Sequence, residues 1–195
     1  MLPLVYFVRH GLTDWNAEGR LQGQAETELS AVGQTQADRN GRLLSELIGD
    51  AAEFDFVSSP MRRTRATMER VRTAMGLEPG DYRTDRRLME LHFGEWQGFT
   101  LSELDARSPG TTEPRSRDKW RFLPPGADAE SYEMLALRFA PWLEALERPT
   151  VCVTHGGIVR CVFHLLGGMS PEQAAAMQVP QDQVLELRDG RLGWR

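Results

Sequence analysis

Basic residues that suit phosphate chemistry follow three apolar runs of the sequence. Arg9 and His10 come directly after "PLVYFV", and His155 comes directly after "VCVT". The stretch "SSPMRRTRAT", which follows the run "FDFV", carries Arg62 and Arg63. Such runs are typical of buried strands, and ligands in open α/β sheets bind beyond the carboxyl ends of the strands. The spacing therefore predicts that these side chains lie around one site.

These residue types indicate a site for a phosphate ester. Guanidinium groups match the geometry of a phosphate dianion, and the free N–H groups of helix N-termini add further donors. A histidine among cations is disfavoured in its charged form and tends towards the neutral, nucleophilic imidazole. Glu90, in "RRLMELHFGEWQG", is a candidate general acid for the leaving oxygen. Each residue alone is also compatible with a structural role, such as a surface ion pair or a turn.

The elements that must position these residues alternate along the chain. Apolar runs predict strands at residues 4–8, 54–58, 82–84, 151–154 and 184–188, with helices between them. This alternation predicts an α/β layered fold with a mostly parallel sheet. In such a sheet, most of the candidate site residues converge on the edge formed by the carboxyl ends of the strands.

Local signals predict where the helices begin and end. Ser30 is the predicted N-cap of a helix that reaches about residue 48. Ser59 is the predicted N-cap of the next helix, with Pro60 at its first position, and Gly76 ends that helix. Further predicted elements are a helix that begins with the capping box "TLSE" at residue 100, a helix at 131–147 with a kink at Pro141, a buried helix at 157–166, and a hairpin turn at 189–190.

Residues 106–128 break this alternation because they are rich in Pro, Gly, Ser and charge. A long irregular stretch in a compact domain is usually a functional lid or a mobile loop, and we expect this one to cross one end of the sheet. Its segment "EPRSRDKWRF" carries four cations that are candidates to contact a second acidic group of a substrate, namely Arg115, Arg117, Lys119 and Arg121. A solvated, charged loop is the alternative interpretation.

Length and composition limit the class of function. A chain of 195 residues fits one domain with a sizeable core, and a net charge of −5 gives no basic dominance of the kind that nucleic-acid-binding proteins show. No apolar run approaches a membrane span or forms a signal sequence, so we expect a cytoplasmic protein. Cys152 and Cys161 are expected to be reduced and buried. No spacing indicates a metal site, and His92 and His164 are assigned no functional role.

The combined motifs resemble one known family. The stretch "VRHGLTDWN" is similar to the signature of the histidine phosphatase superfamily, the phosphoglycerate mutase-like proteins. The similarity continues, in the family order, through "RLQGQAETELSAVGQTQA", "SSPMRRTRAT", "LMELHFGEWQG" and "VTHGGIVR". The resemblance implies a single domain over residues 1–195, built as a three-layer α/β/α sandwich around a mixed, mostly parallel sheet. A cap of loops and helices at about residues 95–130 is implied over the carboxyl ends of the strands.

The resemblance also implies roles for individual residues. His10 is the nucleophile that becomes a phosphohistidine, and Glu90 is the proton donor. The residues that grip the phosphoryl group are Arg9, Arg63 and His155, with Arg63 rather than Arg62 at the family position. Further contacts to phosphate or substrate are implied for Thr13, Asn16, Gln22, Gly23 and Gly156. No metal or organic cofactor is implied, and the expected partner is a small phosphorylated metabolite.

Two departures from the family pattern favour its phosphatase branch. Cofactor-dependent mutases carry an acidic residue after Arg-His-Gly and an Asn after the second His-Gly, where this chain has Leu12 and Gly157. We therefore expect a metal-independent phosphomonoesterase that acts through a phosphohistidine. A cofactor-dependent phosphoglycerate mutase is the alternative, and a non-catalytic phospholigand-binding relative is a further one.

Overall fold

The centre of the molecule is a mixed sheet of six strands. A computed structural model describes residues 2–195, and its strands are β1 (Val5–Arg9), β2 (Asp55–Ser58), β3 (Arg83–Thr84), β4 (Thr150–Thr154), β5 (Val184–Arg188) and β6 (Arg191–Trp194). Their order across the sheet is β3-β2-β4-β1-β5-β6. The first four strands in that order are parallel to one another, whereas β5 is antiparallel to β1 and β6 is antiparallel to β5. The predicted mixed, mostly parallel sheet is confirmed.

Helices connect the strands and flank both faces of the sheet. The α-helices are α1 (Asp14–Ala17), α2 (Ala31–Leu47), α3 (Arg62–Ala74), α4 (Leu101–Arg107), α5 (Glu113–Arg117), α6 (Tyr132–Glu144), α7 (Gly156–Leu165) and α8 (Pro171–Ala176). Short 3-10 helices lie at Ala51–Glu53, Arg86–Leu88 and Gly94–Trp96. Within residues 2–195, no helix combines the length and the apolar character that a membrane span requires.

The side chains of β1 divide between two apolar cores, because successive residues of a strand point to opposite faces of the sheet. Tyr6 and Val8 belong to the core that α2 and α3 cover. Phe7 belongs to the core on the other face, where its ring lies 6.5 Å from the rings of Phe139 and Trp142 in α6. The result is the predicted α/β/α sandwich, with the sheet buried between two helical layers.

Several predicted element ends are confirmed, and the predicted cap of α3 is wrong. The Ser30 side chain accepts a hydrogen bond from Gly33 N–H and caps α2. Asp189 and Gly190 both have positive φ, at 52° and 74°, which suits the tight turn between β5 and β6. Ser59, however, does not cap α3, because that helix begins two residues after Pro60 and its N-cap is Met61. The Ser59 hydroxyl is instead bonded to a histidine of the site described below.

The capping box predicted at Thr100 is confirmed at the start of α4, whereas two other helices differ from the prediction at their ends. Helix α6 continues through Pro141 and ends at Glu144, three residues earlier than predicted. Helix α7 begins at Gly156 rather than at residue 157, directly after its N-cap residue. Pro141 is accommodated inside α6 although it lacks the N–H group for the intrahelical hydrogen bond.

Residues 106–128 are more ordered than the sequence indicated. The predicted irregular stretch 106–128 contains α5 and the end of α4. Trp96, Leu104 and Trp120 are buried in the same apolar core as α6 and α7. Tryptophans bury large apolar areas, so this packing attaches the cap segment firmly to the body of the molecule.

Candidate active site

Two histidines meet at the carboxyl edge of the sheet because β1 and β4 are parallel neighbours. Arg9 at the end of β1 pairs with Thr154 at the end of β4, and the next residues along the two chains are His10 and His155. The rings of the two histidines lie 5.3 Å apart, centroid to centroid. Strand β2, on the other side of β4, brings Ser59 to the same edge, where its backbone N–H bonds Val153 O at 3.0 Å.

His10 is held in the form that a nucleophile requires. Its ring is buried, with 3% of its surface exposed, and its Nδ1 lies 2.8 Å from the carbonyl oxygen of Gly11. Because a carbonyl can only accept, Nδ1 carries the proton and Nε2 keeps a free electron pair. Burial, with the nearby charges of Arg63 and Arg9, lowers the pKa of His10 well below 6.5. The imidazole is therefore neutral at pH 7, as the sequence predicts for a histidine among cations.

Arg63 is fully buried and is fixed by backbone carbonyls. It donates from Nη1 to Ala25 O at 2.9 Å and from Nη2 to Gly23 O at 2.7 Å. Its neighbour Arg62 points outward, where its Nη1 donates to Glu28 Oε1 at 3.4 Å and its backbone N–H donates to Glu26 Oε2 at 2.9 Å. The structure thus brings Arg63, and not Arg62, to the two histidines.

His155 lies between Arg63 and Ser59. Its Nδ1 is 3.2 Å from Arg63 Nη2, and its Nε2 is 2.8 Å from Ser59 Oγ. Since a guanidinium only donates, Nδ1 accepts and Nε2–H donates to the serine hydroxyl. Burial and the neighbouring Arg63 lower the pKa of His155 well below 6.5. Ser59 therefore helps to select the tautomer of His155. Its position directly after β2 indicates that it lies at the site, but the Ser-Pro pattern predicts a helix cap instead.

Two guanidinium N–H groups of the site are buried without a partner. Arg9 donates from Nη1 to Val179 O at 2.6 Å, but its Nε and the Nε of Arg63 have no hydrogen bond within residues 2–195. Burial lowers the pKa of each arginine to about 10, so both remain charged at neutral pH. An unpaired buried donor is costly, and an anion between these two arginines would satisfy both.

Glu90 approaches the site from the segment that follows β3. Its Oε2 accepts a hydrogen bond from Gly157 N–H at 3.0 Å, at the start of α7. Its Oε1 accepts from the N–H of Leu91 at 3.0 Å. Gly157 leaves no room for a side chain, because a Cβ there would lie 2.9 Å from Glu90 Cδ. The carboxyl group is thus seated against a helix N-terminus, one residue along from the Gly156 that follows His155.

Thr13 and Asn16 form a small capped turn beside His10. Thr13 is buried and caps α1, and its backbone N–H and hydroxyl both donate to Asn16 Oδ1 at 3.2 Å. Gln181 Nε2 donates to Asn16 Oδ1 at 3.2 Å and to His10 O at 3.0 Å. The amide oxygen of Asn16 is thereby used, and its amide nitrogen is available for an anion. Gln181 has no sequence signal, because it lies in a loop 171 residues from His10.

The remaining predicted residues line the same region. Gln22 is buried and accepts from the Thr27 hydroxyl at 2.8 Å, which leaves its amide nitrogen as a donor. Gly23 has a φ of 54° and supplies the carbonyl that holds Arg63. At Gly156, a Cβ would lie 3.4 Å from Arg9 Nε, so this glycine borders the unpaired N–H group of that arginine.

The two other histidines lie in ordinary structural settings. His92 Nδ1 accepts from Gly94 N–H at 2.9 Å, and the ring of His164 packs 4.7 Å from the ring of Trp120. Among residues 2–195, no three acidic, histidine or cysteine side chains are grouped as metal ligands.

Comparison with known proteins places this geometry in a family. The model of the histidine phosphatase superfamily (branch 1) matches residues 5–195. The chain is 36% identical over 169 residues to a glucosyl-3-phosphoglycerate phosphatase of Mycobacterium tuberculosis, which covers 78% of this chain and 70% of the relative. It is 32% identical over 165 residues to phosphoglycerate mutase-like protein 4 of Arabidopsis thaliana, covering 82% of this chain and 69% of the relative. This chain belongs to the histidine phosphatase superfamily.

Solved structures of the superfamily share the whole fold. A mycobacterial glucosyl-3-phosphoglycerate phosphatase in complex with VO3 superposes with a TM-score of 0.79 at 32% identity, over 99% of this chain and 96% of the other. The predicted superfamily, its fold class and its phosphatase character are therefore confirmed. The arrangement of His10, Arg9, Arg63, His155 and Glu90 is the part of that fold that can carry phosphoryl chemistry.

Proposed function

We propose that the protein hydrolyses phosphate monoesters of small metabolites through a phosphohistidine on His10, in the manner of a branch 1 histidine phosphatase that carries the Arg-His-Gly motif. The observation that carries the proposal is the state of His10, whose Nε2 is unprotonated beside two buried guanidinium groups with unpartnered N–H donors. A neutral imidazole among cations is suited to attack an anionic phosphorus centre.

In the first step, His10 Nε2 forms a bond to phosphorus while the bond from phosphorus to the ester oxygen breaks. Glu90 donates a proton to that oxygen, so that the product leaves as an alcohol. Arg9 and Arg63 donate to the three remaining oxygens, where charge develops in the transition state, and His155 holds the Arg63 guanidinium through its Nδ1. In the second step, water attacks the phosphohistidine, Glu90 takes a proton from the water, and inorganic phosphate leaves with the His10 lone pair restored.

The cations of the cap fall into two groups by their contacts. Arg117 pairs with Glu113 at 2.7 Å and is exposed, and Arg121 lies near Asp118 and Glu133. Arg115 and Lys119 are half-buried and have no carboxylate partner within residues 2–195. The cap therefore carries two cations that pair with carboxylates at the surface and two, Arg115 and Lys119, that do not pair with a carboxylate.

The charge of Arg160 acts on both Arg115 and Lys119, and a Cβ at Gly156 would lie 3.1 Å from Arg160 Nη1 and 3.4 Å from Arg9 Nε. We infer that these three residues form a cationic cluster next to the phosphoryl site. Lys119 Nζ donates to Ala175 O at 2.6 Å, and Arg160 donates to Met177 O at 3.1 Å from Nη2. Burial, with the charges of Arg160 and Arg115, lowers the pKa of Lys119 to about 8. Mutual repulsion among uncompensated cations favours an anionic ligand, so the proposed substrate carries a second anionic group, a carboxylate or a phosphate. Glucosyl-3-phosphoglycerate, named for the mycobacterial relative, fits this class.

The test of the activity is phosphate release from a panel of phosphorylated metabolites, together with isolation of the phosphorylated protein. We expect an acid-labile, alkali-stable adduct in wild type and none in His10→Ala. Turnover by His10→Ala near the wild-type rate would disprove the phosphohistidine route.

The test of the substrate class compares 3-phosphoglycerate with glycerol 3-phosphate, which lacks the carboxylate. Lys119→Gln should lower kcat/KM for 3-phosphoglycerate by roughly 10- to 100-fold, the scale of one charge-assisted hydrogen bond. It should leave glycerol 3-phosphate within about 3-fold of wild type, because that substrate never uses the contact. Arg117→Gln is the matched control and should change neither. Equal losses of kcat/KM on both substrates would show that Lys119 does not contact a second anionic group of the substrate.

A mutase activity is the second candidate, favoured by the similarity to a phosphoglycerate mutase-like protein. Incubation with 3-phosphoglycerate, with and without 2,3-bisphosphoglycerate, separates the two. We expect phosphate release to exceed formation of 2-phosphoglycerate in both cases. We also propose a cytoplasmic location, supported by the two buried, free cysteines at 152 and 161.

A further inference from the structure

The segment that carries Glu90 has no regular structure of its own to hold it. It follows the 3-10 helix Arg86–Leu88 and leads into the loop before the 3-10 helix Gly94–Trp96. A proton donor loses much of its effect when it is displaced by about 1 Å from its productive position. Side chains from elsewhere in the chain must therefore fix this segment.

The guanidinium of Arg138, on α6, binds a row of carbonyl groups along that segment. Its Nη1 donates to Arg87 O at 2.9 Å, to Met89 O at 3.2 Å and to Arg86 O at 3.3 Å. Its Nη2 lies 3.2 Å from Met89 O and 3.3 Å from Glu90 O. One side chain thus gathers the carbonyls on the N-terminal side of the proton donor and the carbonyl of the donor itself.

Glu130 orients that guanidinium and extends the contact past Glu90. Its two carboxylate oxygens accept from Arg138 Nε and Nη2, each at 2.8 Å, in a bidentate pair. Its Oε2 also accepts from the backbone N–H of His92 at 3.2 Å. The side chains of Arg138 and Glu130 are only 24% and 16% exposed, so solvent competes weakly for these bonds. The pair therefore grips the chain on both sides of the proton donor.

Gln24 connects the pair to the residues that hold the phosphoryl group. Its Nε2 donates to Glu90 O at 3.0 Å and lies 3.3 Å from Glu130 Oε2. Gln24 follows Gly23, whose carbonyl accepts from Arg63 Nη2 at 2.7 Å. The distance between the proton donor and the phosphoryl-binding arginine is thus set by two hydrogen bonds that the backbone of Gly23 and Gln24 connects.

We propose that Arg138 and Glu130 are positioning residues for the proton donor Glu90, which they align with the leaving oxygen of the substrate. The proposal rests on the proposed phosphatase function and assigns a role to two residues that touch neither phosphate nor leaving group. An ion pair that only stabilised the fold would need no acceptor besides its carboxylate. The Arg138 guanidinium instead donates to four backbone carbonyls as well as to the Glu130 carboxylate. Lysine has no planar fork and cannot reproduce that set.

The experiment compares kcat/KM for an alkyl and an aryl phosphate in Arg138→Lys. The value of kcat/KM depends on the steps up to formation of the phosphoenzyme and not on its hydrolysis. It therefore isolates the step in which the leaving group takes a proton. We expect a loss of roughly 10- to 100-fold for glycerol 3-phosphate and less than about 3-fold for p-nitrophenyl phosphate, whose weakly basic leaving group needs little help. Arg70→Lys is the matched control and should change neither value. Arg70 pairs with Asp38 at 2.7 Å and donates to Gln34 O, far from Glu90.

A double-substitution cycle with Glu90→Gln separates positioning from a merely structural role. If Arg138 acts through Glu90, Arg138→Lys should cost less than about 3-fold in the Glu90→Gln background. A loss that multiplies with that of Glu90→Gln, or that is equal for the two substrates, would overturn the proposal. An unchanged kcat/KM for glycerol 3-phosphate in Arg138→Lys would overturn it as well.

Glu130→Gln covers the case in which Arg138→Lys fails to fold, because it keeps the size and the oxygen acceptor of the side chain. It should show the same preference for the aryl substrate, with a smaller loss on the alkyl one. Hydrolysis of p-nitrophenyl phosphate by wild type tests the proposed function separately. If wild type is active and Glu90→Gln discriminates between the substrates while neither pair variant does, the positioning role alone is refuted.

Discussion

Gly157→Ala adds one methyl group at the point where the Glu90 carboxylate meets α7. The new Cβ would lie 2.9 Å from Glu90 Cδ and 2.9 Å from Leu135 Cδ2, and it would overlap Glu90 Oε1. Ordinary van der Waals contacts begin at 3.4 Å, and Leu135 is fully buried and cannot retreat freely. The Glu90 carboxylate must therefore move, and it must also loosen the hydrogen bond that Gly157 N–H donates to it.

The size of the effect follows from this displacement. A shift of about 1 Å in a catalytic group costs on the order of 10²-fold in rate. General acid catalysis is typically worth roughly 10²–10⁴-fold, so the role proposed for Glu90 sets this as the ceiling for the loss. We expect kcat/KM of Gly157→Ala to fall by about 10²-fold for glycerol 3-phosphate and by less than about 5-fold for p-nitrophenyl phosphate.

The assay measures both substrates at matched enzyme concentration, with thermal unfolding as the control for the fold. Alanine is a better helix former than glycine by about 1 kcal/mol, which offsets part of the contact with Leu135. Gly49→Ala is the matched control, because a Cβ there meets no atom within 4 Å. If Gly157→Ala kept wild-type kcat/KM for the alkyl substrate, or lost both substrates equally, the assigned seat of Glu90 would be wrong.

Further predictions concern the nucleophile, the arginines and pH. His10→Ala should give no trapped phosphoprotein and no turnover, checked by alkali-stable labelling; a labelled variant protein would point to another nucleophile. Arg9→Ala and Arg63→Ala should each lower kcat by about 10²–10³-fold, the scale for one oxyanion donor, and chelators should leave the wild-type rate unchanged. Because the pKa values of His10 and His155 are lowered on folding, the unfolded chain binds more protons below pH 6.5, and the free energy of unfolding should fall as pH falls through that value. Denaturant unfolding at pH 7.5 and pH 5.5 measures this, and a His10→Asn variant should show a smaller drop.

Parallel strands are the reason that much of the site could be predicted from the sequence. The apolar runs that form β1 and β4 are followed by Arg9, His10 and His155. Because adjacent parallel strands run in the same direction, their carboxyl ends lie at the same edge of the sheet. Ser59 obeys the same rule, yet its hydroxyl was assigned to a helix cap, because Ser-Pro before a helical stretch has the same local pattern. The structure resolves the conflict, since α3 begins only at Arg62.

The contacts around Glu90 could not be predicted, because they join segments far apart in the chain. Arg138 meets Glu90 across 48 residues, and nothing in the local pattern of α6 marks it as different from other arginines. For a related reason, the sequence could not predict which cations of the cap pair with carboxylates at the surface and which do not. Arg115 and Arg117 lie in a helix of five residues, too short for a periodic pattern to tell its inner face from its outer one.

The proposed site is rich in cations although the protein as a whole is acidic. The net charge of −5 gives no long-range attraction for a phosphate ester, so the proposed binding would depend on contact with Arg9, Arg63, Arg115, Lys119 and Arg160. None of these five pairs with a carboxylate within residues 2–195, whereas exposed arginines of the cap do. Three of them donate to backbone carbonyls of one short segment, residues 175–179. A carbonyl is a neutral acceptor, and an anion offered to the same donors forms the stronger, charge-assisted bond. The cations are thus oriented by acceptors that an anion can displace, as binding of the proposed doubly anionic substrate would require.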